Sequence, residues 1–536
     1  MTMRTTKKFS CALAIAALSC SDLAYGQTVT LVKDINPGSG SSLITTPVAW
    51  GDRTFMSAKT ATSGMEPWST NGTSSTTMAL DIWPGIQNSD PRYWTVFMDH
   101  LVFVARRSGS LGDRLFAIPR SSSTIHEVVP TNFSTAFGTE KASEILGLHA
   151  HQNKLYVVTN ANGSGAEIHV WQTTPGPQFF LGNLGSTGKL IANAVGGVSG
   201  GWGNDPVPSK EWYWLGIIRD IHPSGGSDPS DFITLNDKVC FTADNGTTGR
   251  ELWVTDGTSS GTSLLKDISP GTGSSGITNF VKLGTKLYFV ANDGVKGREL
   301  WMTDGTTAGT TIVKDINTQR DAMSPIALGI TSGSNPTGIY VWNNKLYFNA
   351  DNGANGSEIW CSDGTAAGTV MLKDINATAG VGSSPKNFSG YLKQGLVSGV
   401  MVNKAYLTFT ANDGIAGEEL WQTDGTAAGT ALLKDVKAGT LGSSPSELRG
   451  LNNSTTAGTV TVTHYYYSAI GGSNGRELWE FHPMTGTHKK VSPAVAPNAN
   501  PLAEAHNWPW VQMGNALYFY ANYDSNGGEL WKVSRP

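Results

Sequence analysis

The stretch Gly297-Arg-Glu-Leu-Trp-Met-Thr-Asp-Gly-Thr-Thr-Ala-Gly-Thr310 decides the fold of this chain, because variants of it recur along most of the sequence. Clear or eroded copies of its Glu-Leu-Trp triplet are centred on Trp68, Trp253, Trp360, Trp421, Trp479 and Trp531. Two more degenerate copies stand at Leu115-Phe116 and at Glu167-Ile168-His169. The sequence therefore holds nine copies of one unit at a period of roughly 45 to 60 residues, which is typical of repeat architectures.

Each unit contains four short strand signals separated by turn residues. In the unit around Trp301, the second predicted strand has side chains that alternate between its two faces over 287–290, and it ends at Asn292-Asp293-Gly294. The third predicted strand ends at Asp304-Gly305. No helical period lies between them. Four antiparallel strands per unit predict an all-β fold, a β-propeller of about nine four-stranded blades, with eight to ten blades compatible with the pattern.

The two ends of the chain predict how the ring closes. Residues 28–35 resemble a fourth strand that lacks the preceding three, whereas the last 30 residues supply three strands that lack a fourth. We expect the N-terminal strand to complete the C-terminal blade, because an open array would need polar caps at both ends. Residues 27–536 are therefore interpreted as one propeller domain.

The composition limits the classes of partner. The chain has 64 glycines, a charged fraction of 15% and a formal net charge of −4, so it offers no strongly basic field for nucleic acid. No apolar run after the N-terminus is long enough to span a membrane. Cys240 and Cys361 belong to different units, and we interpret them as buried thiols rather than a disulfide. We expect a monomer.

The first 26 residues predict an export signal. Arg4, Lys7 and Lys8 precede an apolar stretch, and Ala24-Tyr25-Gly26 is a small-x-small cleavage site. We expect a secreted or periplasmic protein.

The units resemble the ELWxxDGT repeat family of bacterial secreted proteins. The resemblance is close over 216–436, recognisable over 28–83 and 437–536, and poor over 84–215. It implies export and a repeat fold, and it implies no particular reaction.

The repeated acidic residues allow two interpretations. Aspartates that end second strands and glutamates that begin third strands share one end of each blade, where their oxygens could bind Ca²⁺. The alternative is structural: Asp-Gly forms tight turns, and Glu accepts backbone N–H bonds within its blade. We favour the structural interpretation because a residue present in nearly every blade serves the fold. The repeated tryptophans are likewise predicted to pack between neighbouring blades.

Function is expected where the repeat fails. Arg106 and Arg107 replace a turn of the second unit, His149 and His151 lie on one side of a strand in the third, and an insertion at about 183–215 follows. The insertion is rich in glycine and aromatic residues. The candidate ligand-binding residues are Arg106, Arg107, His149, His151, Trp202, Trp212, Tyr213 and Trp214. His149 and His151 without an identifiable third ligand are weak support for a metal.

Three hypotheses about function remain open at this stage. In the first, the propeller binds an extracellular glycan or partner protein through one face and the insertion. In the second, it is a polysaccharide hydrolase or lyase with its site at the channel mouth, although no catalytic motif identifies the acting residues. In the third, it is a calcium-stabilised surface scaffold. No cofactor is required by the sequence.

Overall fold

The computed structural model describes residues 27–38, 40–107, 112–120, 124–128, 144–160, 165–173, 212–321, 330–397, 400–452, 463–473, 475–493, 510–523 and 527–534. These residues form nine four-stranded antiparallel sheets arranged as the blades of a β-propeller, as the repeat predicts. The predicted export signal and most of the insertion, including Trp202, lie outside the described residues. No described helix is long and apolar enough to cross a membrane.

In blades 1 to 8 the strands follow the chain order from the channel outward. The first strand, β1 (Thr28–Lys33), belongs to the last blade and is described with it. Blade 1 contains β2 (Thr45–Trp50), β3 (Arg53–Thr60), β4 (Gly64–Thr70) and β5 (Met78–Ala79), with a short 3-10 helix at Ser74–Thr76. Blade 2 contains β6 (Arg92–Phe97), β7 (His100–Ala105), β8 (Arg114–Pro119) and β9 (His126–Val128). Blade 3 contains β10 (Glu144–His151), β11 (Lys154–Asn160), β12 (Ala166–Thr173) and β13 (Trp212–Ile217).

The next three blades are the most regular copies of the repeat. Blade 4 contains β14 (Ser230–Leu235), β15 (Lys238–Asp244), β16 (Arg250–Thr255) and β17 (Ser263–Lys266). Blade 5 contains β18 (Thr278–Leu283), β19 (Lys286–Asn292), β20 (Arg298–Thr303) and β21 (Thr311–Lys314). Blade 6 contains β22 (Thr337–Trp342), β23 (Lys345–Asp351), β24 (Ser357–Ser362) and β25 (Val370–Lys373).

The last three blades complete the ring. Blade 7 contains β26 (Lys386–Val397), β27 (Val400–Asn412), β28 (Glu418–Thr423) and β29 (Ala431–Lys434). Blade 8 contains β30 (Arg449–Asn452), β31 (Thr463–Gly472), β32 (Gly475–His482) and β33 (Thr487–Lys490). Blade 9 contains β34 (Val511–Met513), β35 (Ala516–Ala521) and β36 (Glu529–Ser534), and its fourth strand is β1.

The closure predicted from the chain ends is confirmed. Strand β1 pairs antiparallel with β36, with Thr28 opposite Ser534 and Leu31 opposite Trp531. The hydroxyl oxygens of Thr28 and Ser534 lie 3.3 Å apart. Because β1 begins the described chain and β36 ends it, their pairing holds the first and last blades in one ring.

The core lies between the blades as well as within them. Trp301 of blade 5 packs with Leu235, Cys240 and Leu252 of blade 4, and Trp531 of blade 9 packs with Tyr466 of blade 8. The predicted interblade role of the third-strand tryptophans is therefore confirmed. Cys240 and Cys361 are both buried free thiols, and burial raises the pKa of each.

Alternating strand direction gives the ring two distinct faces. Loops between blades and turns between second and third strands lie on one face, which we call the connection face. Turns between first and second strands, and between third and fourth strands, lie on the opposite face, which we call the turn face. The first strands of neighbouring blades contact one another around the central channel.

Candidate functional site

The repeated glutamates hold the connections between blades. Glu358 accepts hydrogen bonds from the backbone N–H groups of Ile375 (3.0 Å) and Ser383 (2.8 Å), and from the Ser383 hydroxyl (2.6 Å). Ser383 precedes the first strand of the next blade, so the bonds reach beyond the glutamate's own blade. Equivalent contacts are made by Glu66, Glu167, Glu251, Glu299, Glu419 and Glu529. The prediction that these glutamates accept structural hydrogen bonds is confirmed, but the prediction that the bonds stay within one blade is wrong.

Burial leaves these carboxyl groups with raised pKa values. Desolvation is the largest cause for each, opposed by hydrogen bonds from backbone N–H groups and serine hydroxyls. At the ring closure, burial raises the pKa of Glu529 to about 7, despite the bond that it accepts from the Ile35 N–H. Their bonding is that of structural acceptors, and no cluster of three or more metal-ligating side chains occurs among the described residues.

The Asp-Gly sequences form turns, as predicted, and so does Asp244-Asn245-Gly246. Asp244 Oδ1 accepts from the Gly246 N–H at 2.7 Å, and Asp256 Oδ1 accepts from the Thr258 N–H at 2.8 Å. Both aspartates therefore bond backbone two residues ahead in the chain, which is the usual geometry of an Asx turn.

A third repeated contact, which the sequence did not predict, joins neighbouring blades. At the junction of blades 5 and 6, Lys314 Nζ donates to the Thr369 carbonyl oxygen at 2.7 Å and lies 6.0 Å from the Trp360 ring centroid. We call this trio of basic residue, third-strand tryptophan and pre-strand threonine the interblade clasp. Lys33, Arg219 and Lys373 donate to the corresponding threonine carbonyl at their own junctions.

On the connection face, blade 2 lacks the Asp or Asn residue that begins the Asx turn between the second and third strands in the regular blades. Arg106 replaces the turn aspartate or asparagine, although its backbone N–H still donates to the Ser89 carbonyl at 2.7 Å. Its guanidinium instead lies 3.3 Å from Asp113 Oδ1 and 3.5 Å from Asp90 Oδ2. The Arg106 side chain is 46% exposed, so it remains accessible while two carboxylates orient it.

Asp113 is the buried centre of this cluster. Its side chain is 1% exposed, pairs with the Arg92 guanidinium and accepts from the Ile145 N–H of blade 3 at 2.7 Å. In blade 4 the cation lies on the other strand of the pair. Arg250 on the third strand donates to the Ser230 hydroxyl at the start of the first strand. Blade 2 therefore carries its cation on the channel strand β6.

Tyr93 is the most unusual residue of the cluster. The first strands of blades 2 and 4 to 7 share a bulge whose second residue has left-handed backbone, and in blades 4 to 7 this residue is Asp231, Asn279, Gly338 or Asn387. In blade 2 it is Tyr93, with φ of 57° and an exposure of 41%. A bulky side chain is strained in this conformation, whereas Asn, Asp and Gly tolerate it. The Arg92 guanidinium lies over the Tyr93 ring, 5.5 Å from its centroid.

Arg107 points away from Arg106 despite being its neighbour in the chain. Its Nε lies 2.7 Å from Glu127 Oε2 on the fourth strand of blade 2, and Arg114 Nε lies 3.5 Å from the other carboxylate oxygen. Arg107 therefore lines the junction with blade 1 rather than the channel mouth.

His149 and His151 contact the same hydroxyl of the next blade. His149 Nε2 lies 3.2 Å from Thr234 Oγ1, and His151 Nδ1 lies 3.3 Å from that oxygen. The His149 ring also stacks on Phe232, with centroids 5.9 Å apart. Burial, with a smaller contribution from His151, lowers the pKa of His149 to about 4, so this ring is neutral near pH 7.

Trp212, Tyr213 and Trp214 lie in a strand. They begin β13, the fourth strand of blade 3, with Trp212 opposite Thr173 and Trp214 opposite Trp171. The end of the predicted insertion is therefore part of the blade. The segment between β12 and β13 joins third and fourth strands, so its ends lie on the turn face.

The predicted residues consequently form separate groups. Arg106 and Arg107 lie on the connection face, whereas His151 is at the turn-face end of β10 and Trp212 is at the turn-face end of β13. The connection-face cluster gains Arg92, Tyr93 and Asp113, which the sequence did not single out. A signal was available in the sequence at Tyr93, where an aromatic residue stands in a position that blades 4 to 7 fill with Asp, Asn or Gly.

Comparisons with known proteins assign no activity. No protein-family model and no curated protein matches the sequence. Similar solved structures include a prolyl endopeptidase, with 12% identity, coverage of 87% of this chain and 59% of that chain, and a TM-score of 0.34. A puromycin-hydrolyzing peptidase of Mycobacterium tuberculosis has 9% identity, coverage of 92% and 61%, and a TM-score of 0.35. An oligogalacturonate lyase in complex with manganese has 11% identity, coverage of 72% and 86%, and a TM-score of 0.28.

This chain thus spans about three fifths of the length of both peptidases. At such identities and TM-scores, the similarities carry no argument about function.

Proposed function

We propose that the protein is an exported β-propeller that binds an extracellular glycan at the channel mouth of blade 2. The observation that carries the proposal is Tyr93, an exposed aromatic side chain kept in a strained backbone conformation at a position that blades 4 to 7 fill with Asp, Asn or Gly. Backbone strain of this kind clusters at functional sites, because it costs folding free energy without stabilising the fold.

The neighbouring groups supply the chemistry that a sugar requires. Aromatic rings pack against the apolar faces of sugar rings, and paired guanidinium and carboxylate groups hydrogen-bond neighbouring hydroxyls. Arg106 is half exposed and is oriented by Asp90 and Asp113, so it can donate to a ligand without rearranging. Arg92, Arg106, Asp90 and Asp113 together carry no net charge, which favours a neutral glycan over a highly charged one.

The first prediction concerns Tyr93→Asn, which restores the residue used by blades 5 and 7. We expect binding to a glycan array to weaken by about tenfold or more, since stacking of this kind contributes about 0.5–1.5 kcal/mol and orients the ligand for its hydrogen bonds. The melting temperature should equal or exceed that of the unmodified protein, because asparagine tolerates the left-handed conformation.

Asn279→Gly, at the equivalent position of blade 5, is the matched control and should bind glycans normally. Unchanged binding by Tyr93→Asn would overturn the site. Failure of the unmodified mature protein to bind any glycan, with capture of a protein partner instead, would overturn the ligand class. Release of reducing ends or unsaturated products during the assay would favour an enzyme.

A further inference from the structure

The junction of blades 1 and 2 lacks every member of the interblade clasp. Leu80 occupies in blade 1 the position that Lys314 occupies in blade 5. Each residue is followed by Asp-Ile, and each pairs with the middle residue of the Glu-x-Trp triplet on the third strand of its own blade. Phe116 pairs with Phe103 as Trp360 pairs with Phe348. Ile125 precedes the fourth strand of its blade, as Thr369 does in blade 6.

These three replaced positions lie together around one cavity that is open to solvent. A cavity of about 480 Å³ lies at this junction, lined by Leu80, Asp81, Ile82, Arg107, Phe116, Thr124, Ile125 and Glu127. All three replaced positions are among its lining residues. Phe116 lacks the second ring of tryptophan, and the Leu80 side chain is shorter than that of lysine, so neither an indole nor an ammonium group from these two positions occupies the junction here.

The size and the lining of this cavity suit a small ligand. Its volume lies within the range of roughly 300–1,000 Å³ that ligand pockets occupy. Leu80, Ile82, Phe116 and Ile125 give it apolar walls, while Arg107 and Glu127 form a polar side held by their 2.7 Å ion pair. Glu127 occupies a position that other blades fill with apolar residues such as Leu264 and Ile312, so the polar side is also particular to blade 2.

We infer that this cavity binds an uncharged aromatic group of about the size of an indole, carried by a small molecule. The cavity lies where an indole with a cation beside it packs at the junction of blades 5 and 6. The Arg107 guanidinium can serve as the cation beside the ligand ring. The charges of Asp81, Arg107, Arg114 and Glu127 cancel, so the site has no net attraction for an ionised ligand. It is separate from the channel mouth, because its lining residues do not include Tyr93, Arg92 or Arg106.

The test is calorimetric titration of the mature protein with indole as the probe. We expect saturable binding with a Kd of about 0.1–1 mM, as suits a ligand of this size. Phe116→Trp restores the residue of the repeat and should weaken indole binding at least tenfold, because the new side chain takes the place inferred for the ligand ring. Leu80→Lys is a second, independent variant that should weaken it in the same direction.

Tyr93→Asn is the matched control and should bind indole as the unmodified protein does, which also separates this inference from the proposed glycan site. Absence of saturable binding up to about 5 mM would overturn the inference. So would indole binding that survives both Phe116→Trp and Leu80→Lys in folded protein.

Discussion

Glu419→Ala should destabilise the protein by about 3–5 kcal/mol, whereas Glu418→Ala, one residue earlier, should cost less than about 1 kcal/mol. Glu419 is fully buried and accepts from the Val436 N–H (3.0 Å), the Lys437 N–H (3.3 Å) and the Ser443 hydroxyl (2.6 Å). Alanine would leave these donors without their acceptor beside the fully buried Glu419 position, where the Ser443 hydroxyl is itself buried. Each such orphaned group costs about 1–3 kcal/mol.

Glu418 is a control of the same residue type on the same strand. Its carboxylate lies 2.9 Å from Lys386 Nζ, but the Lys386 side chain is 52% exposed, and ion pairs of this kind contribute little. The measurement is urea denaturation of both variants. Equal losses at the two positions would contradict the structural role assigned to the repeated glutamates.

Trp360→Ala should cost about 3–5 kcal/mol, because it empties an interblade space that the repeat fills with an indole. Trp360 is 6% exposed and packs with Tyr288, Val290 and Val313 of blade 5. The change also removes the ring beside Lys314. The loss should appear in the melting temperature and in the urea midpoint.

Trp360→Phe is the informative companion, since it recreates in blade 6 the residue found naturally at Phe116. We expect an intermediate loss of about 1–3 kcal/mol, because the ring remains while part of its volume is removed. A loss below about 0.5 kcal/mol for Trp360→Ala would contradict the packing role of the third-strand tryptophans.

The fold followed from the repeat because turn chemistry and strand period both act locally. Asn292-Asp293-Gly294 and Asp304-Gly305 limit the strand between them, and the unpaired strand at 28–33 then had one available partner. The closure of blade 9 could therefore be predicted without a structure. The second strands are almost continuously buried, as in Lys286–Asn292, because blades pack on both of their faces.

The candidate site was predicted less well, because it depends on which end of a strand each residue occupies. Arg106 and His151 both lie at strand ends, but at opposite faces of the ring. Arg106 and Arg107 are adjacent, but they bond to carboxylates on different elements, Asp113 and Glu127. The pairing of Arg92 with Asp113 spans 21 residues and depends on a register that no local pattern specifies.

Closure of the ring by β1 is the central structural claim, because this pairing completes blade 9 and joins the two ends of the described chain. Thr28→Cys with Ser534→Cys places two thiols where the native hydroxyl oxygens are 3.3 Å apart, at positions separated by 506 residues. On mild oxidation we predict an intramolecular disulfide in the monomer, seen by intact mass and as a shift in mobility on a non-reducing gel that reductant reverses. Thiols that stay free in the folded monomer, or that link only separate chains, would contradict the closed nine-bladed ring.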